Sequence, residues 1–166
     1  MKLSEMNQQR FIDKFGGVYE HSPWVAKQAY PLLNSSTKTA DDLAAIMAKT
    51  MLAAEQKAQL ELIRAHPDLA GKAAIAGDLT DESTNEQKGA GLDQCSKEEF
   101  AEFTRLNNAY TEKFKFPFII AVKGHNRGSI LDAFTARLNN STQEEFAEAL
   151  KQINLIAKFR IEELYK

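Results

Sequence analysis

The 166-residue sequence holds one cysteine, Cys95. A single thiol cannot close an internal disulfide, and a reducing compartment is compatible with that. No uninterrupted apolar run approaches the roughly 18 residues that suggest a membrane-spanning helix. Neither sign of charge dominates: 21 Lys and Arg stand against 23 Asp and Glu, a formal net charge of −2. No large basic field is available to gather phosphates, which argues against nucleic acid or a membrane surface as partner. The opening stretch MKLSEMNQQRFIDKF lacks the apolar core of a secretory signal. The closing residues Glu163-Leu164-Tyr165-Lys166 are not a peroxisomal address of the Ser-Lys-Leu type. A cytoplasmic location is the expectation.

Several catalytic signatures are also missing. There is no H-E-x-x-H, the three histidines lie far apart in sequence, and no second cysteine exists, so a zinc site is not indicated. There is no P-loop, no G-x-G-x-x-G after a strand, and no G-x-S-x-G. Cys95 follows Asp93 and Gln94 with no histidine nearby in sequence. It reads as a half-buried residue between two helices rather than a catalytic thiol.

What is present is helical patterning. Hydrophobic residues make up 43% and charged residues 27%, ordinary values for a globular chain. Ser4 is expected to cap a first helix carrying Phe11 and Phe15, stopped by Gly16-Gly17. Ser22-Pro23 reads as a cap with proline at the first helical position, opening a helix limited by Pro31. Thr39 to Asp42 starts a helix with Leu43, Ile46, Met47 and Met51 at helical spacing. Residues 53–65 form another, with Leu60 and Ile63 facing inward. Residues 66–82, with Gly71 and Gly77, show no sustained period. Ser83-Thr84-Asn85-Glu86 and Ser96-Lys97-Glu98-Glu99 both fit capping boxes. The second box opens a helix carrying Phe100, Phe103, Leu106, Tyr110 and Phe114. The run 116–122 is apolar but contains Pro117, which disfavours helix at Phe116, so a buried non-helical segment is expected. Residues 128–138 and 142–165 complete the set. The expectation is an all-α fold, a single-domain bundle (1–166) of about seven to nine helices.

Three places could carry chemistry. His66 lies between a helix end and Pro67, where fixed backbone could project an imidazole into a cleft; a surface histidine beside a helix terminus is the plainer reading. His21 and His125 are plainer still. Glu86 has a structural reason to exist as the acid of a capping box. A helix N-terminus also suits an anionic ligand, and Glu86 and Gln87 on a first turn could address one. Arg160 falls on the apolar stripe of the last helix, traced by Phe146, Leu150, Ile153, Ala157 and Leu164. A buried guanidinium calls for an anion. An internal salt bridge or a snorkelling stem weighs about equally with a clamp on a carboxylate or planar ureide. The run 116–122 is ordinary core by pattern, although its backbone groups could also read the edge of a heterocycle.

Taken in order, these elements resemble the 2-oxo-4-hydroxy-4-carboxy-5-ureidoimidazoline (OHCU) decarboxylase family. The matching segments are His66-Pro67-Asp68-Leu69, Ser83-x-x-Glu86-Gln87-x-x-Ala90-Gly91-Leu92, the run from Lys113-Phe114-Lys115 through Ala121-Val122, and Ile156-Ala157-Lys158-Phe159-Arg160. The resemblance implies an all-α enzyme that forms (S)-allantoin from a ureidoimidazoline, without cofactor or metal. It implies His66 and Glu86 as the catalytic pair and Arg160 as substrate clamp. Pro67, Ser83 and Gln87 would be further substrate contacts, and the backbone of Phe118, Ile119, Ile120, Ala121 and Val122 would face the ring. It is also compatible with a homodimer. Two departures stand out: Lys115 where the family usually has glycine, and Gly124-His125-Asn126-Arg127 in place of a more basic loop. The competing readings are a helical binding module without chemistry and a hydrolase of a related ureide.

Overall fold

The computed structural model describes residues 2–69 and 80–166. Positions 70–79, with Gly71 and Gly77, lie outside the described residues. Eight α-helices and no strand occur among the described residues: α1 (Gln8–Phe15), α2 (Trp24–Ala29), α3 (Ala40–Leu52), α4 (Gln56–Arg64), α5 (Asp81–Gly89), α6 (Lys97–Phe114), α7 (Arg127–Arg137) and α8 (Thr142–Tyr165). The all-α expectation is met. No helix among the described residues is long and apolar enough to cross a membrane. The chain divides into two compact units, one from Met1–Ala65 with Ile153–Lys166 and one from His66–Gln152.

In the first unit Asn7, not Ser4, starts α1. Its side chain accepts the N–H of Arg10 at 2.9 Å, while Ser4 lies in a 3-10 turn, Leu3–Glu5. Ser22 likewise does not cap: its hydroxyl donates to the C=O of Glu20 at 2.9 Å. Thr39 and Asp42 form the expected reciprocal capping box of α3. The far end of α3 is closed by Gln59, whose buried amide donates to the C=O of Met51 and Leu52. In α4, Leu62 and Ile63 are buried and Leu60 only half so. Phe11, Phe15, Val25, Leu43, Met47, Met51 and Ile161 are fully buried. Each such side chain is worth about 1.5–3 kcal/mol relative to exposure.

The second unit is built on an aromatic cluster. Tyr110 and Phe114 of α6 lie 4.4 Å apart between ring centroids, and the Tyr110 ring meets Phe118 and Phe134 edge-on. Phe118 stacks on Phe134 of α7 at 3.8 Å, nearly parallel. Ser96 and Glu99 cap α6 reciprocally, as expected. Asn126 caps α7, one residue ahead of the expected start. The α6 helix ends at Lys115 in the left-handed region, φ 64°. A Cβ is unfavourable in that conformation, which gives a physical reason for the glycine usual there in the resembling family. In α8, residues Ala149, Leu150, Ile153, Ile156, Ala157, Arg160 and Ile161 are buried. Leu164, assigned to that stripe from spacing, is exposed.

Candidate active site

The helix α4 ends at Arg64, and Pro67 disfavours helical backbone at His66. His66 is buried, at 7% exposure, so the plain surface-histidine reading does not hold. Two side chains of the second unit hold the short turn that follows. Asn107 of α6 donates to the C=O of Leu69 at 2.9 Å, and Gln87 of α5 donates to the C=O of Asp68 at a long 3.4 Å.

The helix α5 begins a turn earlier than the capping-box reading placed it. Thr80 is the cap, its hydroxyl accepting the N–H of Ser83 at 3.2 Å. Asp81 and Glu82 fill the first turn, where acidic groups complement the helix dipole. Ser83 and Glu86 are therefore not a cap pair, and Glu86 and Gln87 stand on the second turn. At spacings of three and four, Ser83, Glu86 and Gln87 share one face of α5. Ser83 and Gln87 are buried and Glu86 is half-buried.

The run 116–122 is non-helical and buried except for Pro117, which is intermediate. Arg137 of α7 donates to the C=O of Ile119 at 2.6 Å and to Glu145 at 2.8 Å. Glu145, wholly buried, also accepts from Tyr110 at 2.7 Å and from Asn140 at 2.9 Å. Burial first, then the Glu145 carboxylate, pushes the Tyr110 phenol above its ordinary pKa. Gln152 of α8 accepts the N–H of Ala121 at 2.9 Å. The His125 ring lies 3.0 Å from the Ser129 hydroxyl, and Arg127 donates to Glu99 and to the C=O of Gly91. The loop that departs from the family's pattern thus has structural bonds of its own.

Arg160 belongs to the first unit. Its Nη1 donates to Glu20 Oε2 at 2.9 Å and lies 3.3 Å and 3.5 Å from the C=O of Gly17 and Val18. Both side chains are buried, at 6% for Arg160 and 1% for Glu20. The internal salt bridge weighed from sequence therefore exists. Glu20 was not legible in sequence, because it sits in a short non-helical connection without period; the one signal was an arginine on an apolar stripe. Cys95 is half-buried, and burial followed by Glu99 raises its thiol pKa, against a role as nucleophile.

A family model described as OHCU decarboxylase matches residues 4–162. The 2-oxo-4-hydroxy-4-carboxy-5-ureidoimidazoline decarboxylase of Halalkalicoccus jeotgali is 43% identical over 162 residues, 98% of this chain and 89% of that protein. The enzyme of the same name from Haloferax volcanii is 37% identical over 99% of this chain and 94% of its own. A crystal structure of (S)-allantoin synthase superposes with a TM-score of 0.74 at 30% identity, over 98% of this chain and 52% of that one. A crystal structure of OHCU decarboxylase in the presence of (S)-allantoin is similar in fold, with a TM-score of 0.70 at 22% identity, over 92% of this chain and 97% of that one. With the model matching nearly end to end and relatives matching over most of both chains, this protein belongs to the OHCU decarboxylase family.

Proposed function

We propose that the protein decarboxylates 2-oxo-4-hydroxy-4-carboxy-5-ureidoimidazoline to (S)-allantoin in urate breakdown. Kinship along nearly the whole chain with proteins named for this reaction carries the reading. The chemistry suits the chain's own side chains. The bond to the carboxylate breaks, and its electron pair moves toward the neighbouring ring imine, whose nitrogen takes a proton. The resulting enol then gives up its hydroxyl proton as the ring carbonyl forms, and the ureido-bearing carbon takes a proton on one face. The imine is the electron sink, so the reading needs neither pyridoxal phosphate nor a metal.

His66 and Glu86 are proposed as the catalytic pair that moves these protons. Arg160, Pro67, Ser83 and Gln87 are proposed to hold the polar edges of the substrate, with the backbone of residues 118–122 along the ring. Burial of His66 and the shared face of Ser83, Glu86 and Gln87 support these roles. A cytoplasmic homodimer, with residues 1–166 acting as one catalytic domain and no nucleic-acid partner, belongs to the same proposal. Light scattering tests the dimer.

The substrate is generated in place from urate with urate oxidase and hydroxyisourate hydrolase, and circular dichroism follows the product. A rapid signal of the S enantiomer is expected with this protein, against racemic decay without it. The His66→Asn variant is expected to fold and to lose that signal. Full turnover by this variant excludes His66 as a catalytic residue, and wild-type protein that leaves the decay unchanged overturns the activity itself.

A further inference from the structure

The buried stretch 116–122 lies in neither helix nor sheet, so its backbone groups need partners from elsewhere. Two side chains supply partners for two of them. Arg137 takes the C=O of Ile119, and Gln152 takes the N–H of Ala121. Among the described residues, Ile120 makes no backbone hydrogen bond, and no acceptor takes the N–H of Val122. Pins at Ile119 and Ala121 therefore hold the segment on either side of Ile120 in sequence and leave the backbone groups of Ile120 and the N–H of Val122 for another partner.

The two pins differ in character. Arg137 is part of the core: it lies 4.3 Å from the Phe118 ring and pairs with wholly buried Glu145. Gln152 is half-buried near the middle of α8. Its Nε2 donates to Glu148 Oε1, one turn back, at 2.8 Å. That bond fixes which way the amide faces: a carboxylate only accepts and a backbone N–H only donates, so the Gln152 oxygen must face Ala121.

We propose that Gln152, oriented by Glu148, is a positioning residue for the ureidoimidazoline ring. It acts through the Ala121 N–H to hold the backbone groups of Ile120 and Val122 where the ring is read. The inference rests on the reading that this segment's backbone meets the substrate. Its consequence is stereochemical as well as kinetic, because a ring that can rotate presents either face of the ureido-bearing carbon to the proton.

The test uses Gln152→Ala, Gln152→Glu and the double variant Glu148→Gln with Gln152→Glu, all in the full chain. Gln152→Ala is expected to keep its helical circular dichroism, to lose about ten- to hundred-fold in kcat/KM, and to release allantoin of lower enantiomeric purity. Gln152→Glu sets two carboxylates against each other and is expected to be impaired as well. The double variant reverses the polarity of the pair: an amide at 148 donates to a carboxylate at 152, which still accepts from Ala121. It is expected to recover rate and enantiomeric purity together. Wild-type kinetics and purity in Gln152→Ala, or a double variant no better than Gln152→Glu, overturn the proposal. Titrating (S)-allantoin into 15N-labelled wild-type protein separates this from the reading beneath it. Absence of shifts at the Ile120 and Val122 amides removes the backbone reading itself. Shifts there, with Gln152→Ala unaffected, remove Gln152 alone.

Discussion

Arg160 Nη1 lies 2.9 Å from Glu20 Oε2, and both side chains are withdrawn from water. Removing one partner of such a pair leaves a buried charge uncompensated, which costs about 3–5 kcal/mol, whereas replacing both by apolar groups of similar volume is often neutral or better. Glu20→Ala is therefore expected to unfold at markedly lower urea concentration. The double variant Glu20→Leu with Arg160→Met is expected to regain most of that stability yet remain inactive, since it lacks the proposed substrate clamp. Urea melts and the coupled allantoin assay read the two effects separately. Recovery of activity along with stability would reduce Arg160 to a structural residue.

Lys115 holds φ at 64° as the closing residue of α6. Side chains other than glycine are strained there, by roughly 1–2 kcal/mol for the left-handed conformation. Glycine also gains freedom in the unfolded chain, which offsets part of the relief. Lys115→Gly is expected to stabilise by about 0.5–1 kcal/mol, a rise of a few degrees in Tm for a chain of this size. Lys115→Ala keeps the Cβ and is expected to show no such gain. Calorimetry on the three proteins decides it.

The all-α class was legible because the apolar residues recur at helical spacing and the starts at Thr39 and Ser96 use reciprocal side-chain caps, a strictly local interaction. The buried state of the 116–122 run followed from its composition and Pro117. Ser83 misled because Ser-x-x-Glu satisfies a capping box equally well inside a helix. Thr80, one turn upstream, wins the start through its own hydroxyl and the acidic pair that follows it. Glu20, Gln152 and Asn107 were not legible. Each meets its partner at a separation of 31 or more residues, and sequence spacing carries no information about that.

The caps also contribute to stability in acid. Hydrogen bonds from the Thr39 and Lys38 backbone lower the Asp42 pKa, and the Ser96 backbone bond, followed by Arg127, lowers that of Glu99. A carboxylate with a depressed folded pKa stabilises fully above its unfolded value, about 4. That contribution is lost as pH falls through the lower folded value. Thermal melts from pH 5 down to pH 2.5 are expected to show a shallower decline in the Asp42→Asn, Glu99→Gln variant than in wild type. Parallel curves would mean that these two caps do not govern the acid limb.

Asn107 is tied to the turn after His66 by one bond, the 2.9 Å donation to the C=O of Leu69. Its Oδ1 is buried with no partner among the described residues, so this donor is what holds the side chain to the turn after His66. Asn107→Ala leaves a buried carbonyl unsatisfied, at a cost of about 1–3 kcal/mol. It also releases a side-chain anchor of that turn, which the Gln87 amide meets by a long bond. With His66 in its proposed role, a displaced imidazole loses reach to the proton, so kcat/KM is expected to fall by ten-fold or more while the protein stays folded at assay temperature. Asn107→Asp sets a carboxylate against the carbonyl and is expected to be worse in both respects. Should Asn107→Ala lose stability but keep full turnover, the placement of His66 is secured by other contacts and this anchor serves the fold alone.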